Sequence, residues 1–186
     1  ESWQQATGLA MIDGIGATEM LHIFISAAGD QIRPGATGKP ENVRDYAPFA
    51  RWIEFDPNTE KTRLFALPID STWYKQGRTG NAKFGDLVSL GQGKFIAIEQ
   101  GTRASDGLVF NDLVLIEFPA HATDINAFGS ELEKSSLTGS AVSGADYSKV
   151  VPLKKIRLFN LNAAGWNAEK AEGLALVDEY TLALTN

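Results

Sequence analysis

Apolar and polar residues alternate with a period of two through Arg51-Trp52-Ile53-Glu54-Phe55 and again through Thr62-Arg63-Leu64-Phe65-Ala66-Leu67. A strand sends successive side chains to opposite faces, so this alternation predicts two half-buried strands. The link between them, Asp56-Pro57-Asn58-Thr59-Glu60-Lys61, is rich in turn formers. Proline presets φ, and Asp or Asn side chains bond their own backbone. The segment therefore reads as a β-hairpin. A second hairpin is expected from Asp86–Leu90, the turn Gly91-Gln92-Gly93-Lys94 and Phe95–Glu99, and a third from Gly173–Val177 and Thr181–Leu184 around Asp178-Glu179-Tyr180. A further hairpin is expected from Gly8–Ile12 and Met20–Ile25, joined through Asp13–Glu19, with single strands at Asp112–Phe118 and Lys155–Asn160.

Helical signals are few. Ser130-Glu131-Leu132-Glu133-Lys134 predicts a turn or two, and Ala163–Ala171 another, without a long apolar stripe of period 3.6 in either. The fold class is therefore all-β. Hairpins that begin near residues 8, 86 and 173 are spaced by about two units of 40 residues each, the period of a propeller blade with four strands. Longer polar insertions at Gly29–Ala47, Ser71–Lys83 and Ser130–Val150 suit rim loops, where function concentrates. At about 40–45 residues per blade the chain holds roughly four blades of a β-propeller. Missing sequence or a partner chain is then expected to close the ring, because open blades expose strand edges.

The 186 residues are 44% hydrophobic and 22% charged, with 18 glycines and 7 prolines, which is ordinary for one folded domain and argues against overall disorder. No apolar run approaches the roughly 20 residues of a membrane span. Seventeen basic against 23 acidic residues leave a net charge of −6; an acidic surface repels a phosphate backbone, so non-specific nucleic-acid binding is disfavoured and no nucleic-acid partner is expected. Zero cysteines exclude a disulfide framework, a thiolate nucleophile and a zinc knuckle. The two histidines, His22 and His121, are far apart in sequence, so a histidine-rich metal site is not expected. Gly91-Gln92-Gly93-Lys94 shares glycines and a lysine with a phosphate-binding loop but has the wrong spacing and is followed by a strand, so it reads as a turn.

The order of the pieces resembles the phytase-like esterase family. The matching residues are Gly8-Leu9-Ala10, Arg51-Trp52-Ile53-Glu54-Phe55-Asp56, Leu87 to Glu99, Asp112 to Phe118 with Ala122-Thr123-Asp124-Ile125, and Ala171-Glu172-Gly173-Leu174-Ala175-Leu176 through Asn186. The likeness covers the later part of the family's domain over nearly the whole of residues 1–186, with the last motif severed at Asn186. Where the family commonly carries Glu before Gly-Leu this chain has Thr7. Ala27 stands where a strand-end carboxylate is usual, and Gln100 stands in place of an arginine after Glu99.

The resemblance implies a phosphoester hydrolase, a phosphatase or phosphodiesterase, assisted by a metal ion. Its matched carboxylates, Glu99 and Glu172, would be the catalytic and metal-binding residues, and a hard oxygen set of Asp86, Glu99 and Glu172 would suit calcium. Arg103, four residues after Glu99, is the candidate phosphate clamp, and Trp73, in a polar loop beside Lys75 and Arg78, the candidate substrate contact. A small-molecule phosphoester is the implied substrate, and a periplasmic or secreted location is implied by the resemblance alone. Two competing readings stay open. The carboxylates can instead fasten loops by accepting backbone N–H bonds. The rim can instead bind a protein or polysaccharide in a non-catalytic propeller.

Overall fold

A computed structural model gives the architecture and describes residues 13–17 and 22–27 by their backbone and residues 45–186 in full. The chain divides into two compact units, Glu1–Glu41 and Asn42–Asn186. In the first, β1 (Asp13–Ala17) and β2 (His22–Ala27) form an antiparallel pair, with a bulge between Ile15 and Gly16. The expected connection at Asp13–Glu19 is therefore corrected, because Asp13–Ala17 is itself a strand. Gly14 and Gly16 hide its alternation, since glycine has no side chain to signal a face. The expected strand at Gly8–Ile12, the carboxylate-free position Thr7 and most of the insertion Gly29–Ala47 lie outside the described residues.

The second unit is built from antiparallel sheets. β3 (Phe49–Asp56) and β4 (Lys61–Pro68) form one hairpin, paired without interruption from Phe49↔Pro68 to Asp56↔Lys61. β5 (Lys83–Gly91), β6 (Lys94–Thr102), β7 (Val109–Glu117) and β8 (Lys154–Asn160) make a four-stranded sheet in chain order. β9 (Gly173–Asp178) and β10 (Thr181–Thr185) form the last hairpin. All the strands expected in this unit are present, one to four residues longer than the alternation suggests, with β7 shifted to begin at Val109 and end at Glu117. The β5–β6 turn places Gln92 and Gly93 at φ of 51° and 70°, the pair of positive values that a two-residue type I′ hairpin turn requires. The mostly β, antiparallel character expected from the sequence is what the chain adopts.

The four-stranded sheet is covered on both faces, and strand alternation decides which residue faces where. Ala97 on β6 with Val114 and Ile116 on β7 packs against Phe65, Leu67 and Leu153, with Trp52, Phe95 and Phe118 around them. Ile98 and Leu113 belong to the other face, where they meet Leu161, Ala171 and Leu174, so that β9–β10 covers it. Burying such side chains contributes on the order of 1.5–3 kcal/mol each, and that burial clamps three sheets together in chain order.

Among the described residues one α-helix, α1 (Glu131–Thr138), lies in the Ser130–Val150 insertion, ended by Gly139 in the left-handed region. Two turns of helix are marginal alone, and tertiary contacts hold this one. The Arg51 guanidinium on β3 donates to both carboxylate oxygens of Glu133, at 2.8 and 2.9 Å, and to the carbonyls of Phe128 and Gly129. The helix expected over Ala163–Ala171 is not formed. Only a single 3₁₀ turn, Asn162–Ala164, is present, and Gly165 ends it at φ 100°.

Candidate functional site

A cross-strand pair puts two carboxylates side by side inside the sheet. Glu99 on β6 stands opposite Asp112 on β7, and both are fully buried. Burying an unpaired charge is prohibitive, so each must find a cation. β8 supplies them. Lys155 Nζ lies 2.7 Å from both oxygens of Glu99. Arg157 donates from Nη2 to Asp112 Oδ1 at 2.9 Å, and Asn160 Nδ2 donates to the same oxygen.

Arg157 and Asn160 are three residues apart and would ordinarily point to opposite faces. A register shift between Leu113↔Phe159 and Val114↔Arg157 inserts one extra residue in β8. That bulge turns both side chains toward Asp112.

The Ser71–Lys83 insertion covers this charge layer with aromatic rings. Asp70 opens it by accepting the Thr72 N–H at 2.9 Å, an Asx cap that starts a 3₁₀ turn. The chain then passes through three such turns. Tyr74, 1% exposed, donates its hydroxyl to Glu99 Oε1 at 2.6 Å. Its ring fits because residue 101 is glycine: a methyl group there would overlap the Tyr74 ring. Trp73 lies over both cations, its ring centre 5.2 Å from Lys155 Nζ and 4.9 Å from Arg157 Cζ.

Burial, with Glu99 adding to it, pushes the Tyr74 phenol well above its ordinary range, so it stays a donor. Burial pulls the Lys155 ammonium below the ordinary lysine value, against the opposing effect of the Glu99 carboxylate.

Beside this layer is a cleft of about 220 Å³ lined by Thr72, Trp73, Arg103, Ser105, Asp112 and Arg157. Backbone pairing between Tyr74 and Arg103, together with the bond from Ala104 N to Trp73 O at 2.9 Å, brings Trp73 and Arg103 to one cleft. Arg103 is half-buried and pairs with Asp106 at 3.0 Å. Asp112 Oδ2 is 2.7 Å from Arg157 Nε, but at an angle that makes no hydrogen bond, so this buried oxygen keeps an unfilled acceptor position.

The residues expected from the sequence divide into two groups. Arg103 and Trp73 line the cleft together. Glu99 is beneath the aromatic cover with both oxygens engaged and lines no part of the cleft. Asp86 accepts from Leu87 N at 2.8 Å and from Leu174 N at 2.9 Å, tying β5 to β9. Glu172 is exposed just before β9, where its N–H bonds Thr185 O at 2.9 Å. Asp86, Glu99 and Glu172 are thus engaged apart from one another, and among the described residues no three His, Cys, Asp or Glu side chains gather as a metal ligand set. These three carboxylates do not fit calcium as one site. Gln100 occupies the opposite face from Glu99, donating to Asn111 Oδ1 and Ala171 O. His121 is exposed in its turn, and Ala27 ends β2.

Sequence reasoning overlooked Asp112, Lys155, Arg157 and the closeness of Tyr74. The available signal was parity. Lys155 and Arg157 sit two apart on one strand, and Asp112 heads an otherwise apolar one.

A family model described as esterase-like activity of phytase matches residues 24–186. Among curated proteins, a benzoate–CoA ligase of Thauera aromatica is 50% identical over 38 residues, 20% of this chain and 7% of the ligase. A 3-hydroxybenzoate–CoA ligase of Aromatoleum sp. (strain CIB) is 54% identical over 41 residues, 22% of this chain and 8% of the ligase. The chain therefore spans less than a tenth of the length of either ligase. No solved structure matches the chain.

Proposed function

The chain belongs to the phytase-like family, and on that footing we propose that it is a phosphoester hydrolase working in the cleft lined by Trp73, Arg103, Asp112 and Arg157. A hydrolase-type function comes with the family; the phosphoester substrate, the cleft and the residue roles are the proposal. The observation that carries it is Asp112, whose buried Oδ2 makes no hydrogen bond although Arg157 Nε lies 2.7 Å away, in the lining of a cleft that the Arg103 and Arg157 guanidinium groups share. Guanidinium groups match the oxygens of a phosphoryl group and disperse its charge as the transition state forms. Asp112 Oδ2 is the acceptor for the attacking water. Water adds to phosphorus, its proton passes to Asp112, the P–O ester bond breaks, and the departing alkoxide takes a proton from solvent. Trp73 flanks the substrate and keeps Arg157 in place through its ring face.

The same proposal takes the three stacked sheets as successive blades of a β-propeller. Antiparallel order within β5–β8 and face-to-face packing in chain order support it.

Hydrolysis of a panel of chromogenic phosphomonoesters, phosphodiesters and carboxyl esters by the full chain tests the reading, with calcium and then with chelator to test metal assistance. Arg103→Ala should raise KM for phosphoesters roughly tenfold or more, the worth of one charge-assisted bond. Asp112→Asn should remove turnover while leaving the fold, because Asn160 and Arg157 can still meet its carbonyl oxygen. Full activity in Asp112→Asn would sink the assignment. A folded chain without turnover on any ester would replace it with a binding role for the rim loops.

A further inference from the structure

Strand parity gives the β6–β7 ladder a second polar cleft, on the face opposite the first. Lys83 stands directly opposite Gln100, Gln100 opposite Asn111, and Thr102 opposite Val109, so Lys83, Gln100 and Thr102 share a face that Glu99 and Asp112 do not. There a cleft of about 220 Å³ is lined by Asn81, Lys83, Gln100, Thr102, Glu169 and Lys170.

Two features separate this cleft from an ordinary wet groove. The first is the amide of Gln100, 6% exposed. Its nitrogen donates to Asn111 Oδ1 at 2.8 Å and to the Ala171 carbonyl at 2.6 Å. A carbonyl can only accept, which fixes which end of the amide is nitrogen. Both its hydrogens are therefore used, and Oε1, with no hydrogen-bond partner among the described residues, is left as a fixed acceptor. The second feature is charge. Lys83 and Lys170 make no ion pair among the described residues, while Arg51, Arg63, Arg78, Arg103 and Arg157 all do. Glu169 lines the cleft too, with its carbonyl accepting from Asn111 Nδ2 at 3.2 Å.

We propose that this cleft binds a small oxyanion that also carries a hydroxyl group, with Lys83 and Lys170 meeting the negative oxygens and Gln100 Oε1 accepting from the hydroxyl. An anion with only acceptor oxygens would face the Gln100 oxygen lone pair to lone pair. An anion bearing an O–H would pair with it. Hydrogenphosphate has such a donor at neutral pH, and sulfate of the same size and shape has none. Binding therefore discriminates by a proton rather than by charge or volume. The site does not use the arginines of the first cleft and does not depend on the hydrolase reading.

Isothermal titration of the full chain at fixed ionic strength, with inorganic phosphate and then with sulfate, tests it. Saturable phosphate binding is expected, with sulfate at least about tenfold weaker, the difference between a made and an unmade charge-assisted bond. Lys83→Ala and Lys170→Ala, both on exposed side chains, should each weaken phosphate roughly tenfold. Phosphate held by the arginines of the other cleft is separated by repeating the titrations in an Arg103→Ala background, where the lysine-dependent binding should persist. Glu169→Gln should strengthen it by removing a like charge. Sulfate binding as tightly as phosphate would overturn the role of Gln100. Phosphate binding lost in Arg103→Ala and unaffected by either lysine variant, or no saturation up to about 10 mM, would overturn the site.

Discussion

Lys155 and Glu99 show how much one buried pair can be asked to hold. The Lys155 side chain is 5% exposed and that of Glu99 is not exposed at all, so neither charge can turn to water if the other is removed. Lys155→Met leaves a buried carboxylate with only the Tyr74 hydroxyl, and should cost about 3–5 kcal/mol in chemical denaturation. Adding Glu99→Gln removes the stranded charge, so the double variant should be more stable than Lys155→Met alone. Additive losses in that cycle would mean that the two groups do not depend on each other. The pair also explains why Glu99, the carboxylate that the sequence marks most clearly, does not reach the cleft. Its length and position promise chemistry, but Tyr74 and Lys155 use both its oxygens. The carboxylate oxygen without a hydrogen bond belongs to Asp112, directly opposite on β7, where it is only ion-paired with Arg157. Sequence cannot show which member of a cross-strand pair is saturated, because the answer depends on the bulge in β8 and on a glycine that admits the Tyr74 ring.

At the scale of the element, turns are written locally and were legible. Asp56 accepts the Asn58 N–H at 2.9 Å and the Thr59 hydroxyl at 2.8 Å, closing the β3–β4 hairpin. Asp178 accepts the Tyr180 N–H at 2.8 Å between β9 and β10, and Asp146 accepts from Ser148 before a 3₁₀ turn. These bonds favour the ionised carboxyl, with Thr59, Tyr180 and Ser148 the leading donors, and hold all three pKa values below the ordinary 3.8. The unfolded chain then binds protons first as pH falls. The stabilisation is complete above 3.8 and is lost as pH drops through the lowered native values. Replacing all three by Asn should therefore lower the thermal midpoint near pH 7 and make progressively less difference toward pH 2. A gap between the two proteins that stays constant with pH would contradict this. Hairpins were readable because their signals lie within a few residues. The segment Ala163–Ala171 was not, because Asn111 and Asn162, through bonds to Glu169 O, Ala171 N and Trp166 O, set its path from outside. β1 was missed where glycines silence the alternation.

For the second unit as a whole, the stack of sheets has two ends. The central sheet β5–β8 has both faces covered, whereas the outer face of β3–β4 is covered only at its Phe49 and Ala66 end, by Ile125, Leu132 and Ala145. Beyond that cover, Ile53 and Phe55 on β3 are 50% and 55% exposed, and Val177 on β9 is 63% exposed, on faces turned away from the central sheet. Strand parity makes this unavoidable. Each hairpin points one row of apolar residues at the central sheet, and its β-branched and aromatic neighbours of opposite parity must point outward. In a closed propeller another blade would cover such a row. Where nothing covers them, the rows are apolar patches of the kind that draw chains together. The 186-residue chain should therefore self-associate with rising concentration in light scattering. Phe55→Lys with Val177→Lys should shift it toward monomer without lowering the thermal midpoint, since neither side chain belongs to a buried cluster. A chain that stays monomeric at every concentration would show that both faces tolerate water as they stand, and would remove the argument that the stack needs a further blade at either end.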